Sequence, residues 1–225
     1  MPLIVLEGID GSGKSTQLAL LSEHMDRLGL AYIRLQFPQY DKPSSAPLRM
    51  YLNGDFGTDP GSVGPYAAST FFAVDRYASY KTDWGEAYGR GGTILADRYV
   101  SSNAVHQGSK LLGEERTAFF RWLDEFEHVL MELPRPDIVL YMDVPIELAL
   151  ENVRVRQVKT GAKVDIHEAG EAYLRTCAEA AREAAQFYGW HLVPCSSGGQ
   201  MRSPVEIHRE VLSILRDMMP SFGKS

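Results

Sequence analysis

Cysteine is scarce in this chain of 225 residues: Cys177 and Cys195 are the only two, and they lie far apart. That excludes a disulfide framework. With no Cys-x-x-Cys pair, a thiolate metal site is not expected either. Two isolated cysteines read as reduced core thiols of the kind the cytoplasm maintains. Long apolar runs are also missing, and nothing approaches the roughly 20 residues a membrane span needs. The apolar start Pro2-Leu3-Ile4-Val5-Leu6 has no basic residues before it and stops at Glu7. It reads as a first strand rather than a signal peptide. Positive charge is short as well: 23 Lys and Arg stand against 29 Asp and Glu, a formal net charge of −6. Non-specific nucleic-acid binding needs a positive footprint, so a nucleic-acid partner is not expected. Any anionic ligand must be held by local positive charge.

What is present is a globular composition, 44% hydrophobic and 23% charged, enough to bury a core. The length suits one large α/β domain. Short β-rich runs at residues 3–7, 31–37, 93–96, 137–143 and 191–195 alternate with longer helical patterns at 14–28, 66–88, 114–131, about 165–188 and 204–219. Residues 41–65 are rich in Pro, Gly and Ser, with one short helical piece at 48–52. Residues 158–164 read as a polar break, and 196–199 as a loop. Five strands separated by helices predict a parallel sheet with helices on both faces. Ligands in such sheets bind beyond the carboxyl ends of the strands.

The first strand leads into Gly8-Ile9-Asp10-Gly11-Ser12-Gly13-Lys14-Ser15, a full G-x-x-x-x-G-K-[ST] loop with a strand before it and a helix after it. Its glycines let backbone N–H groups converge on phosphate oxygens, and the helix N-terminus adds partial positive charge. Lys14 neutralises the β and γ phosphates, the Ser15 hydroxyl ligates Mg²⁺, and Thr16 completes the ATP-binding set with Gly8, Asp10, Gly11, Ser12 and Gly13. Asp97, ending the apolar run Thr93-Ile94-Leu95-Ala96, is the expected second Mg²⁺ anchor. Phe72 and Arg76 are four apart, so one helix face offers a flat ring and a guanidinium. Such a pair suits a nucleobase; it equally suits a core Phe beside a surface ion pair to Asp75. Ser102, Asn103 and His106 share another helix face. Arg98 follows Asp97 at the strand end, and its planar fork suits phosphate.

Asp97-Arg98-Tyr99-Val100-Ser101-Ser102-Asn103-Ala104-Val105-His106-Gln107, together with Gly8-Ile9-Asp10, Phe37-Pro38-Gln39-Tyr40 and Phe72-Ala73-Val74-Asp75-Arg76, resembles the thymidylate kinases in the right order over nearly the whole chain. The resemblance implies a P-loop NTPase-type sheet with a short lid at about 154–166, a single nucleotide-kinase domain over 1–225, and Mg²⁺-dependent transfer of the ATP γ-phosphoryl group to dTMP. It implies that Phe72 stacks the thymine, that Arg76 reaches its O4, and that Ser102 and Asn103 meet its N3 and O2. Arg98 becomes the clamp on the acceptor phosphate, with Phe37 and Tyr40 beside it and Asp10 near the 3′-OH. At His106 many relatives carry Tyr, packed against the deoxyribose. Where many relatives have Arg, this chain has Gln39, so one clamp charge is either missing or supplied elsewhere, with Arg49 as a candidate. Some relatives carry a catalytic arginine inside the loop, at the position of Gly11 here. The finger is therefore expected from the lid cluster Arg154, Arg156, Lys159 and Lys163: Arg156 as the catalytic group and Arg154 near the adenine, or the two exchanged. His167, with Asp165 and Glu168, is carried over to the acceptor sugar. Ser196–Gly199 is expected at the adenine edge, and a homodimer through helices flanking 66–88. Two alternatives remain open: a deoxynucleoside kinase, which needs a carboxylate base after the second strand where this chain has Phe37-Pro38, and a P-loop ATPase without an acceptor.

Overall fold

The computed structural model describes residues 2–160, 171–218 and 222, without the side chains of Pro60 and residues 156–160. Five parallel strands form the central sheet: β1 (Leu3–Glu7), β2 (Tyr32–Gln36), β3 (Thr93–Asp97), β4 (Ile138–Asp143) and β5 (His191–Pro194). Their order is β2-β3-β1-β4-β5. Register aligns Leu6 with Asp97 on one side and with Leu140 on the other. The ends of β1 and β3 therefore open side by side, and everything that follows them projects into one crevice.

β1 is apolar on both faces because both are covered. Ile4 and Leu6 pack with Leu18, Leu21 and Met25 of α1 (Lys14–Arg27) and with Val211 and Leu215 of the last helix. Leu3 and Val5 alternate to the opposite face, against Trp84, Phe119 and Phe120. A buried strand of this kind reads as a continuous hydrophobic run, the signal residues 3–6 give. Among the described residues, no helix is long and apolar enough to cross a membrane.

After β2 the chain makes a 3₁₀ turn at Pro43–Ser45 and the short helix α2 (Ala46–Asn53), longer than the sequence pattern suggests. The single helix expected over 66–88 is three pieces: α3 (Pro65–Ser79), a π-helical turn (Tyr80–Trp84) and α4 (Gly85–Gly89). Gly85 makes the turn possible: a Cβ there would stand 2.4 Å from the Tyr80 carbonyl oxygen. Helix α5 (Val100–His106) follows β3, and α6 (Gly113–Asp124) runs into a second π-helical turn (Glu125–Leu130). Helix α7 (Ile146–Thr160) runs through the first three residues of the polar break expected at 158–164, and residues 161–164 lie outside the described residues. Helix α8 (Glu171–Tyr188) leads to β5. The expected loop at 196–199 is a small antiparallel hairpin, β6 (Ser196–Ser197) and β7 (Gln200–Met201), before α9 (Pro204–Met218).

Candidate active site

The loop of residues 8–13 leaves β1 and seats itself against α7. Gly11 has φ +83°, and a Cβ there would lie 2.1 Å from the Ala149 carbonyl oxygen. Asn152 Nδ2 donates to the Gly11 carbonyl at 2.8 Å, fastening the two segments together. A side chain at residue 11 would clash with the Ala149 backbone, so this position accommodates only glycine as the two segments are packed. We expect Gly11→Ala to lower the melting temperature, with a cost of about 1–3 kcal/mol, and to weaken ATP binding in the same variant. Unchanged melting would contradict the contact. Residues 9–17 line a cavity of about 410 Å³, closed on the far side by Asn152, Met201, Arg202, Pro204 and Ile207. Among the described residues the buried Ser12 Oγ has no hydrogen-bond partner, a donor available to an anion in the loop.

Two cations and three carboxylates crowd the end of β1. Lys14 Nζ is ion-paired with Asp97 Oδ1. Burial, then the Arg98 guanidinium, pull the Lys14 pKa below the usual amine value, with Asp97 and Glu7 opposing them. Arg98 adopts φ +67°, a left-handed conformation costing about 1–2 kcal/mol in a non-glycine residue. In that conformation its fork reaches Glu7 Oε1 at 3.0 Å and Asp10 Oδ1 at 2.9 Å. Burial opposes its charge, but Asp10, Glu7 and Asp97 outweigh burial and raise its pKa. Glu7 is fully buried and fully used: Oε1 also accepts from Gly8 N at 2.9 Å, and Oε2 from Ser101 Oγ at 2.8 Å and Ser102 Oγ at 2.6 Å. One carboxylate thus ties the phosphate loop, Arg98 and helix α5 into a single unit.

A second cavity of about 150 Å³ opens on the other side of Asp10, which lines both. Phe37 and Tyr40 after β2, Phe72 and Arg76 of α3, Arg98, and Ser102, Asn103 and His106 of α5 all line it. At its inner end Arg76 Nε donates to Glu127 Oε2 at 2.6 Å, and its Nη2 pairs with Oε1. Asn103 Nδ2 donates to Ser69 O at 3.2 Å and to Glu127 Oε1 at 3.1 Å. His106 Nε2 lies 3.2 Å from Arg98 Nη1. A guanidinium only donates, so Nε2 is the acceptor and Nδ1 carries the proton, facing the Tyr173 hydroxyl at 3.4 Å and Cys177 Sγ at 3.7 Å.

A family model described as thymidylate kinase matches residues 6–198. The chain belongs to the thymidylate kinase family. A thymidylate kinase of Mycobacterium tuberculosis is 36% identical over 190 residues, covering 83% of this chain and 87% of that protein. A probable thymidylate kinase of Pyrobaculum aerophilum is 27% identical over 220 residues, covering 96% and 97%. The solved structure of a thymidylate kinase from Candida albicans shares the fold, with a TM-score of 0.70 at 18% identity over 98% of this chain and 93% of that one. Membership of the thymidylate kinase family makes the chain a phosphotransferase.

The residues that the thymidylate kinase resemblance nominated fall into three groups. Asp10, Gly11, Ser12 and Gly13 with Lys14, Ser15 and Thr16 line the first cavity; Asp10, Phe37, Tyr40, Phe72, Arg76, Arg98, Ser102, Asn103 and His106 line the second; Gly8 and Asp97 line neither. Arg76 is neither on the surface nor paired with Asp75, which instead accepts from Gln39 N at 2.8 Å and Ser44 Oγ at 2.7 Å. Arg154 is exposed on α7 and does not line the first cavity. Lys163, Asp165, His167 and Glu168 lie outside the described residues, as do the side chains of Arg156 and Lys159. Two expectations need correction. Ser196–Gly199 do not line the first cavity: pairing Ser196 with Met201 folds them into a hairpin, and Met201 and Arg202 line it instead. Arg49 does not line the second cavity: its Nη1 is bound to Tyr40 O, Ser45 Oγ and Lys42 O, closing the turn before α2. Glu7 and Glu127 were missed; each is an acidic residue whose partners come from distant segments, and nothing local in the sequence flags it.

Burial, then Arg98, Lys110 and Lys14, push the His106 pKa down to about 3. The imidazole is therefore neutral above that value and gains a proton only below it. Between about pH 5 and pH 8 it should contribute no inflection to kcat/KM for the acceptor. NMR titration of the ring checks this, and a midpoint near pH 6.5 would contradict the assignment.

Proposed function

We propose that the chain transfers the γ-phosphoryl group of ATP to dTMP, giving dTDP and ADP, as a step in dTTP supply. The observation that carries this reading is the pair of cavities meeting at Asp10, with Lys14 and Arg98 at the join. One cavity is built around a phosphate loop. The other has a ring and an amide-and-guanidinium corner at one end and a phosphate-type fork at the other, the layout of a nucleoside monophosphate.

The acceptor phosphate is already an anionic nucleophile, so no general base is required and catalysis is alignment plus charge neutralisation. Lys14 exchanges Asp97 for the β and γ phosphates. Arg98, its fork fixed by Glu7 and Asp10, holds the acceptor phosphate in line. The Asn103 amide and the remaining Arg76 donors read the base edge while Phe72 supplies its stacking face, an interaction of about 1–3 kcal/mol. Ser15 and Asp97 offer the hard oxygen donors that suit Mg²⁺, and no group of three or more His, Cys, Asp or Glu forms a dedicated metal cage among the described residues. Mg²⁺ held there with phosphate oxygens would supply charge neutralisation. Arg156 is the finger in this reading, with Arg154 towards the adenine and His167 towards the acceptor sugar.

The whole chain acts as one kinase domain in this reading, and the cytoplasm is its setting. Tyr66, Val74 and Tyr77 leave an exposed apolar stripe along α3, which supports a homodimer through that face. A coupled assay of ADP formation tests the reaction. ADP formed with dTMP and Mg²⁺, but not with thymidine, supports the reading; thymidine as the better acceptor favours the nucleoside kinase, and acceptor-independent turnover an ATPase. The thymine methyl discriminates by about 10–200-fold, so dUMP is expected to be a slow substrate.

A further inference from the structure

The second cavity owes its shape to a residue that does not line it. Glu127 sits in the π-helical turn Glu125–Leu130 that follows α6, and it is 0% exposed. Two residues on, Val129 is 57% exposed and Leu130 70%. The turn therefore places a carboxylate inside and two aliphatic side chains outside. Burying a carboxylate costs several kcal/mol and is a poor way to gain stability even when it is paired. The helix register is held in this arrangement: Leu133 N donates to the Glu127 carbonyl at 2.9 Å, and π turns of this sort recur at functional sites.

Inside, Glu127 grips two of the candidate base-reading groups at once. Its Oε2 accepts from Arg76 Nε at 2.6 Å, and its Oε1 accepts from both Arg76 Nη2 and Asn103 Nδ2. Arg76 Nη1 reaches Tyr99 O at 3.4 Å. Of the five guanidinium hydrogens these bonds use three, leaving one on each terminal nitrogen without a protein acceptor among the described residues. Asn103 spends its amide N–H groups on Glu127 and Ser69, so its carbonyl oxygen is the group left to accept. The fork is fixed in one plane by the bidentate contact, and its charge is balanced by the carboxylate. The result is a neutral corner with donors and one acceptor at set positions, which is what an uncharged pyrimidine edge requires and an anion does not.

We infer that Glu127 is a positioning residue for base recognition: it fixes the plane of Arg76 and the amide orientation of Asn103 while cancelling the charge of the fork. This rests on reading the second cavity as the dTMP site. It assigns a role to a residue that would touch no substrate.

The test is a double-mutant cycle of Glu127→Gln and Arg76→Gln, with dTMP varied at saturating ATP. Glu127→Gln is expected to raise KM for dTMP about ten- to a hundredfold while kcat and KM for ATP change by less than about threefold. In the Arg76→Gln background the same change should have a clearly smaller effect, because only the Asn103 amide is left to be positioned. A fall in kcat at unchanged KM, or additive effects in the double variant, would overturn the inference and leave Glu127 a structural residue only. Because removing one partner of a buried pair also lowers stability, Glu127→Asp is the second variant. It keeps the charge but withdraws the carboxylate by one methylene, and it is expected to raise KM for dTMP; an unchanged KM overturns the inference. If wild-type enzyme makes no dTMP-dependent ADP, the reading of the cavity has failed instead, which the same plates report separately.

Discussion

Arg98→Ala is expected to lower kcat/KM for dTMP by about 10³ or more, with the larger part in kcat. Donors aimed at transferring or accepting phosphate oxygens are worth about 10²–10³ each, and arginines at phosphoryl centres about 10³–10⁵. Arg98 is more constrained than an ordinary surface arginine. Its φ of +67° is held by a backbone hydrogen bond from its own N to Leu6 O at 3.1 Å. The fork meets Glu7 on one side and Asp10 on the other. Removing it leaves those carboxylates facing one another at the point where a phosphate must arrive, so the loss includes repulsion as well as a missing donor. Arg98→Lys restores charge but not the fork, and should recover only part of the rate. Steady-state kinetics with dTMP varied decide the matter. A rate within about tenfold of wild type for Arg98→Ala would show that the acceptor phosphate is held elsewhere.

The second large effect is expected at Lys14. Lys14→Ala should lower kcat by about 10³ or more, since the phosphoryl group migrates with little covalent help and depends on positive charge along its path. In the present structure Lys14 is paired with Asp97. That pairing compensates both buried side chains. Lys14→Ala leaves the Asp97 carboxylate buried without its cation, so a lower melting temperature should accompany the lost turnover. Asp97→Asn tests the pairing from the other side: it should also impair turnover, because Lys14 loses its resting partner and the oxygen set loses a charge. Kinetics and thermal melting on the same preparations measure both. Lys14→Ala with wild-type kcat would contradict the role given to the loop.

The parts of this site that were legible in the sequence are those whose partners are close along the chain. Residues 8–15 announce the phosphate loop because its glycines, lysine and serine are contiguous and sit between a strand and a helix. β1 is legible because burial on both faces makes it apolar at every position from Leu3 to Leu6. Asp97 and Arg98 are legible because a strand end defines where the next residues point. What was not legible depends on segments meeting across the fold. Glu7 looked like the last residue of a strand; only β3 and α5 arriving beside it reveal that it bonds Arg98, Ser101 and Ser102. Glu127 looked like one more acid in a helical pattern, and its inward direction comes from a π turn that the 3.6-residue periodicity does not encode. The closing of Gly11 against Ala149 depends equally on where α7 lies. Arg49 illustrates the complementary case: a spare cation near the right segment suggests a clamp, but its Nη1 serves three acceptors in its own turn.

The central claim is that two nucleotides lie tail to tail, one in each cavity, with their phosphates meeting at Asp10, Lys14 and Arg98. Equilibrium binding of a bisubstrate analogue, adenosine and thymidine joined 5′ to 5′ through a polyphosphate, tests it most directly. The account predicts that one analogue binds per chain, displaces both ATP and dTMP, and loses affinity on Arg98→Ala and on Lys14→Ala. An analogue that displaces only one of the two nucleotides would contradict it.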